Sequence, residues 1–223
     1  MAHGAQPFPD ATRVICTRIE PSGSAQLWMS AVAGGAPVRL VKAIADSDDA
    51  GSWSPDGNWF VYLHITQAGK TSLNKVKTTG QAEPDVVKAD VNRTGEWVPV
   101  WSPSGEWILH DDGGVKLISP DGKTTRDVSS KSALAYAFST DGKTIYGIRQ
   151  VAGEDRLNLF SVSVAGGAEK TIGSLGSEYR PASNLSPALR LSLSPDGKSV
   201  TYSTLKWTSN LWLMEGLDTV ALP

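Results

Sequence analysis

Residues 52–62 read SWSPDGNWFVY, in which an apolar segment, a turn and a second apolar segment follow one another. The turn is specific, because Pro55 presets φ at one central position, Asp56 caps the turn through its side chain and Gly57 accepts a positive φ. The flanking residues are aromatic or β-branched, which suits a pleated, half-buried surface. The stretch therefore predicts a β-hairpin.

The same phrase returns along the whole chain. Related stretches are PFPDATRVIC at 7–16, VWSPSGEWILH at 100–110, AFSTDGKTIYG at 137–147 and LSLSPDGKSVTY at 191–202. The central turn residues, which we call the markers, are Asp10, Asp56, Ser104, Asp141 and Asp196. Successive markers lie 37 to 55 residues apart, close to the period of roughly 40 to 45 residues expected for four-stranded propeller blades.

Apolar residues occupy fixed positions around each marker. Three places before it stand Trp53, Trp101, Phe138 and Leu193, and four places after it stand Val14, Phe60, Ile108, Ile145 and Val200. We expect both columns to be buried, with the aromatic column between neighbouring units. A third apolar strand, a glycine-containing turn and a shorter fourth strand complete each unit. A second SPDG, at 119–122, is interpreted as the third-to-fourth turn of the third unit, because GVKLIS before it matches other third strands.

The fold predicted from this pattern is an all-β, five-bladed β-propeller of four-stranded antiparallel blades, since no window shows a convincing helical period. One domain is expected over 1–223. Its approximate blades are 1–45, 46–92, 93–131, 132–176 and 177–223. Because an open propeller would leave unpaired strand edges, we expect the N-terminal residues to join the last blade or to form the first inner strand.

The repeated S-P-D-G-K phrase, with the apolar strand after it and a leucine-aromatic third strand, resembles the WD-like repeat of TolB-type propellers. The resemblance covers almost the whole chain, and it departs from the pattern where Ser104 replaces Asp and Ala11 replaces Gly. It implies a bacterial binding module that takes a protein or peptide partner. TolB itself resembles a six-bladed propeller that follows an extra N-terminal domain. The chain is therefore also interpreted as a fragment of a larger protein. That parent protein is expected to be periplasmic if it follows TolB.

Composition excludes several classes of protein. Lys and Arg number 21 against 23 Asp and Glu, without runs of either sign, so nucleic acid is not an expected partner. No signal peptide and no apolar run long enough to span a bilayer is present, so a soluble chain without membrane insertion is expected, cytoplasmic as written. Cys16 is the single cysteine, which excludes an internal disulfide. No cofactor and no metal site is predicted.

Candidate site residues lie on the loops from each fourth strand to the next first strand, because a rigid scaffold presents its functional groups on loops. These loops are 43–52, 90–97, 129–136 and 173–190, and we call the surface that they form the loop face. Eight places before their markers stand Asp48 and Glu96, and seven places before stand Asp49 and Trp97. The longest loop adds Glu178, Tyr179, Arg180 and Arg190 as ligand-binding candidates.

Two functions follow from these residues. The first is a binding scaffold that presents the loop face to a protein or peptide. The alternative is a glycoside hydrolase or lyase that binds carbohydrate at the channel mouth, where Asp48 and Glu96 serve as the catalytic carboxylate pair and Trp97 offers an exposed indole.

Overall fold

The computed structural model describes residues 2–42, 46–92, 97–154, 156–176, 191–194 and 196–202, and within them every regular element is a β-strand. The first sheet contains β1 (Ala2–Pro7), β2 (Arg13–Ile19), β3 (Ala25–Ala31) and β4 (Val38–Arg39). The second contains β5 (Ser47–Trp53), β6 (Trp59–Ile65), β7 (Thr71–Lys77) and β8 (Asp85–Lys88). The third contains β9 (Val100–Trp101), β10 (Ile108–Asp111), β11 (Val115–Ile118) and β12 (Thr125–Ser129). The fourth contains β13 (Ala135–Phe138), β14 (Thr144–Gln150), β15 (Leu157–Ser163) and β16 (Lys170–Gly176), and β17 (Leu191–Leu193) pairs with β18 (Val200–Tyr202).

Strand order confirms the predicted blade pattern. In all four four-stranded sheets consecutive strands pair antiparallel, so each sheet is a simple meander. β1 forms the first strand of the first sheet, which is one of the two positions expected for the N-terminal residues. The second SPDG lies between β11 and β12, as interpreted from the sequence. The count of five blades and their bounds stay predictions, because 177–190 and 203–223 lie outside the described residues.

The marker hairpins share one register. The residue three places before the marker pairs with the residue four places after it, as in Trp53 with Phe60 and Phe138 with Ile145. The same pairing recurs in the other three hairpins as Pro7 with Val14, Trp101 with Ile108, and Leu193 with Val200. The two apolar columns thus face each other across every hairpin, which explains their fixed spacing in the sequence.

Each marker turn is held by side-chain hydrogen bonds within the turn. At the fourth sheet, Ser139 Oγ donates to Asp141 Oδ1 at 2.6 Å, and the Lys143 N–H donates to the same oxygen at 3.0 Å. The Thr144 N–H donates to Ser139 Oγ at 2.9 Å. Gly142 has a φ of 69°, a conformation that glycine adopts without the steric cost borne by other residues. These contacts give the S-P-D-G phrase its structural meaning.

The first turn departs from this chemistry at one residue. Ala11 occupies the glycine position with a φ of 56°, where a Cβ costs about 1–2 kcal/mol. We therefore expect Ala11→Gly to raise the free energy of unfolding by about 0.5–1 kcal/mol, after the larger entropy of glycine in the unfolded chain is subtracted. Urea unfolding of the two proteins measures the difference.

The reciprocal control is Gly57→Ala. Gly57 has a φ of 70°, and a Cβ there would lie 2.4 Å from the ring of Phe8, so this change should lower stability. An Ala11→Gly variant that is less stable than the parent would contradict the strain assigned to Ala11.

The hydrophobic core lies between neighbouring sheets. Trp53, Trp101 and Phe138 are 9%, 8% and 8% exposed, which confirms the predicted aromatic column. The ring of Phe8 in the first sheet meets Trp53 of the second edge to face, with centroids 4.4 Å apart. The backbone N–H of Trp101 donates to Ser52 Oγ of the second sheet at 2.8 Å. The first strands of successive sheets therefore lie side by side.

Candidate functional site

The structure places only part of the predicted site. Asp48 and Asp49 lie on β5, which already begins at Ser47, and Trp97 lies shortly before β9. Five of the predicted residues fall outside the described residues, namely Glu96, Glu178, Tyr179, Arg180 and Arg190. The distance between Asp48 and Glu96 therefore stays untested, and so does the catalytic pair.

Asp48 is buried in an ionic cluster with His64. Its side chain is inaccessible to solvent, and Asp48 Oδ1 lies 2.9 Å from His64 Nδ1. The other ring nitrogen, Nε2, lies 3.5 Å from Asp46 Oδ2. Because both ring nitrogens face carboxylate oxygens, the arrangement favours the imidazolium, which can donate to both.

The position of Asp48 corrects the prediction of a solvent-exposed loop carboxylate. The β5–β6 register shifts between Asp49 and Gly51, so that Asp48 pairs with His64. Such a bulge changes which face a side chain occupies. Burial raises the pKa of Asp48, although the hydrogen bond to His64 opposes this. The hydrogen bond to Asp48 raises the pKa of His64.

Residues of the cluster and next to it also link the start of β5 to β3 of the first sheet. Gln26 Nε2, on β3, donates to the Asp46 carbonyl at 2.6 Å. The Ala25 N–H donates to Ser47 Oγ at 3.1 Å, and the Gln67 N–H donates to Asp46 Oδ1 at 2.9 Å. Asp46 and Asp48 therefore hold strands together rather than face an open mouth.

Trp97 corrects a second expectation, that of an exposed indole on the loop face. It is 1% exposed and belongs to the cluster of buried residues centred on the third sheet. Its ring centroid lies 6.3 Å from that of His110. The packing of a large indole against neighbouring apolar side chains explains this position, so Trp97 cannot anchor a ligand from solvent.

His110 is the opposite of His64 in its electrostatics. It lies on β10 with no exposure, and among the described residues neither ring nitrogen has a hydrogen-bond partner. Burial lowers the pKa of His110 to about 4. Lys88 also lowers this pKa by a smaller amount, whereas Asp112 raises it. The imidazole is therefore neutral near pH 7.

The two histidines predict a pH optimum of stability. The pKa of His64 is raised above 6.5 in the folded state, so its contribution is present below pH 6.5 and is lost as the pH rises through the folded pKa. The pKa of His110 is lowered to about 4, so stability falls as the pH drops below 6.5 towards 4. Together they place maximum stability near pH 6.5.

Urea unfolding across this pH range, with histidine titrations followed by NMR, checks the expectation. His64 should titrate above 6.5, and His110 should stay neutral until about pH 4. In the variant His110→Gln, the loss of stability that His110 causes below pH 6.5 should disappear. The loss of stability above pH 6.5 should remain. If both histidines titrate near 6.5, the two environments are wrongly assigned.

A buried carboxylate that the sequence analysis missed joins the third and fourth sheets. Asp111, at the end of β10, has no exposure. It accepts hydrogen bonds from the Ala133 N–H at 3.0 Å, from Ser132 Oγ at 2.9 Å and from the Gly114 N–H at 3.2 Å. Only its position at the end of a second strand, directly before a glycine turn, could have suggested a structural role.

The first strands of the four four-stranded sheets and of the β17–β18 pair line one cavity of about 270 Å³, which we call the axial cavity. One residue from each strand is Gln6, Ser52, Val100, Tyr136 and Leu191, and the others are Val98, Pro99, Ala135, Ala137 and Ser192. The lining residues that the structure describes include no Asp, Glu, His or Cys. The described part of the lining thus lacks the groups that most often serve as general acid, base or metal ligand.

No three His, Cys, Asp or Glu side chains converge to hold a metal ion within the described ranges. In the same part of the chain, no helix has the length and apolarity to cross a membrane.

Solved structures place this architecture among known folds. TolB from Acinetobacter baumannii superposes with a TM-score of 0.67 at 15% identity, over 90% of this chain and 48% of that one. The chain has the fold of a TolB-like β-propeller. The propeller is also similar to oligogalacturonate lyase from Vibrio parahaemolyticus, with a TM-score of 0.62 at 12% identity, over 96% of this chain and 67% of that one.

Sequence comparison adds little about the function of the propeller. No protein-family model matches the chain. The uncharacterized protein YidR from Escherichia coli (strain K12) is 25% identical over 114 residues, which are 50% of this chain and 26% of that protein. The matched half of the chain thus spans about a quarter of the length of this curated relative.

Proposed function

We propose that the propeller is a binding module that takes a protein or peptide partner on its loop face. The observation that carries this proposal is the axial cavity. At about 270 Å³ it lies just below the range of roughly 300–1,000 Å³ that is usual for small-molecule sites. Its described lining includes the polar residues Gln6, Ser52 and Ser192 but no Asp, Glu, His or Cys.

The state of Asp48 supports binding over catalysis. A general acid or nucleophile must reach the substrate, whereas Asp48 is inaccessible to solvent and bonded to His64. Hydrogen bonds hold Asp46 and Ser47, at the start of β5, against β3. A surface held in this way suits recognition, because rigid partners lose less conformational entropy on binding.

Selection of binders from a displayed peptide library, using the purified chain as bait, tests this proposal. Affinities of the selected peptides are then measured for Asp49→Lys and Arg180→Glu, two charge reversals at residues predicted for the loop face. We expect a loss of about tenfold in affinity, which corresponds to about 1.4 kcal/mol. The matched control is Lys198→Glu, at an exposed position next to a marker, which should leave the affinity within about twofold. Equal losses in all three variants would refute a loop-face site.

A carbohydrate-active enzyme is the second candidate function, supported by the similarity of the fold to an oligogalacturonate lyase. Incubation with oligogalacturonate, followed by the ultraviolet absorbance of the unsaturated product, and a panel of chromogenic glycosides distinguish it from binding. The binding proposal predicts no turnover. Turnover that Asp48→Asn and Glu96→Gln each abolish would establish the enzyme instead.

A further inference from the structure

The marker turns lie at the opposite end of the strands from the loop face. A groove of about 730 Å³ runs between the third and fourth sheets at the marker turns. Trp107 lies in it from the third sheet, and Lys143 and Val164 line it from the fourth. Its volume falls within the range of ligand sites. None of the residues predicted from the sequence lies in this groove.

Positive charge predominates in the groove. The guanidinium of Arg126 lies 4.9 Å from the ring centroid of Trp107, and Arg126 Nη1 donates to the Val164 carbonyl at 3.2 Å. Lys143 is exposed beside it, and Glu106 is the single acidic residue among the described lining residues. No described carboxylate forms an ion pair with Arg126, so a charged ligand group can approach its outer edge.

The same arrangement of indole and cations recurs one sheet earlier. Trp59 stands three places after its marker, as Trp107 does, and it carries Lys75 Nζ at 4.6 Å and Lys77 Nζ at 5.7 Å from its ring centroid. The marker side therefore holds two places where cations lie over an indole, and it also carries the marker aspartates. An anionic partner complements those cations.

The chemistry of the groove favours a peptide over a saccharide. A sugar ring stacks on an open indole face, but the guanidinium of Arg126 already lies over the ring of Trp107. The wall of the groove includes Thr124 and, on β12, Arg126. β12 is the outermost strand of the third sheet. One edge of an outermost strand presents N–H and C=O groups that an extended peptide can pair with.

We propose that the groove between the third and fourth sheets binds an extended acidic peptide segment, whose carboxylates meet Arg126 and Lys143. This site is independent of the loop face, so either proposal can fail alone.

Fluorescence anisotropy with a labelled peptide of alternating glutamate and threonine tests the site on the full chain. The matched peptide with glutamine in place of glutamate should bind at least about tenfold more weakly. Raising the salt concentration to about 1 M should also weaken binding, because the Debye length then falls to about 3 Å.

Charge reversal locates the contact. Lys143→Glu should weaken the acidic peptide by about tenfold, and Arg126→Glu by at least as much. The matched control is Lys70→Glu, at an exposed position on a second-to-third turn, where the affinity should stay within about twofold of the parent. Because Arg126 also bonds to Val164, thermal unfolding must show that each variant is folded, and Lys143→Glu carries the test if Arg126→Glu is not.

Three outcomes would overturn the proposal. They are no measurable binding of the acidic peptide, equal weakening by Lys70→Glu and Lys143→Glu, and tighter binding of an oligogalacturonate than of the peptide. The last outcome would assign the groove to an acidic saccharide.

Discussion

Replacement of Trp101 by alanine is expected to lower the free energy of unfolding by about 3–5 kcal/mol, the cost of removing a large aromatic side chain from a packed core. Trp101 is 8% exposed in the cluster between the second and third sheets. Its indole Nε1–H donates to the Gly105 carbonyl at 3.1 Å, so the substitution also removes a hydrogen bond to its own marker turn. Denaturant unfolding at a fixed pH measures the loss.

The control for Trp101 is Trp59→Ala, which removes a half-buried tryptophan from the same core cluster. We expect a clearly smaller loss there, because less area returns to water. An unchanged midpoint for Trp101→Ala would mean that the aromatic column does not hold neighbouring sheets together.

The second large effect is expected from Asp111→Ala. This change leaves the Ala133 N–H, the Gly114 N–H and the Ser132 hydroxyl without their acceptor, and each buried donor without a partner costs about 1–3 kcal/mol. Some of these groups can reach water after relaxation, so we expect a total loss of about 3 kcal/mol. The measurement is the unfolding free energy, together with amide exchange of Ala133, which should accelerate.

Asp127→Ala serves as the control for Asp111. Asp127 lies in the same sheet, its side chain is 82% exposed, and it pairs with Lys116 at 3.4 Å. Exposed pairs of this kind contribute little, so the loss should stay below about 1 kcal/mol. If the two variants lose the same stability, Asp111 does not join the third and fourth sheets as described.

The hairpins could be predicted from the sequence because their information is local. A proline, an acidic cap and a glycine, of which each turn has at least two, specify the turns. The turn fixes the register that brings Trp53 opposite Phe60 and Phe138 opposite Ile145. Ala11 shows the strength of this signal, since the first hairpin keeps its shape with a non-glycine residue at positive φ.

The candidate site could not be predicted in the same way, because its contacts depend on a bulge and on burial. Asp48 and Asp49 follow polar residues and therefore resemble a solvated loop, and acidic residues are rarely buried unless they are paired. The partner of Asp48 is His64 on the next strand, which pairs with it only through the register shift before Gly51. Likewise, nothing local distinguishes a buried Trp97 from an exposed one.

Asp111 was missed for a related reason. Its hydrogen-bond donors Ser132 and Ala133 belong to the segment that leads into the fourth sheet. The contact therefore forms only once the third and fourth sheets have packed. The sequence pattern describes each unit separately, whereas Asp111 forms its contacts between two units.

The central claim, that the propeller recognises a protein or peptide on its loop face, is tested most directly by hydrogen–deuterium exchange of the chain with and without a peptide selected for binding. We expect protection within 43–46, 90–97 and 129–134, with the marker turns unchanged. Protection confined to the first strands that line the axial cavity, or to the marker turns, would contradict it.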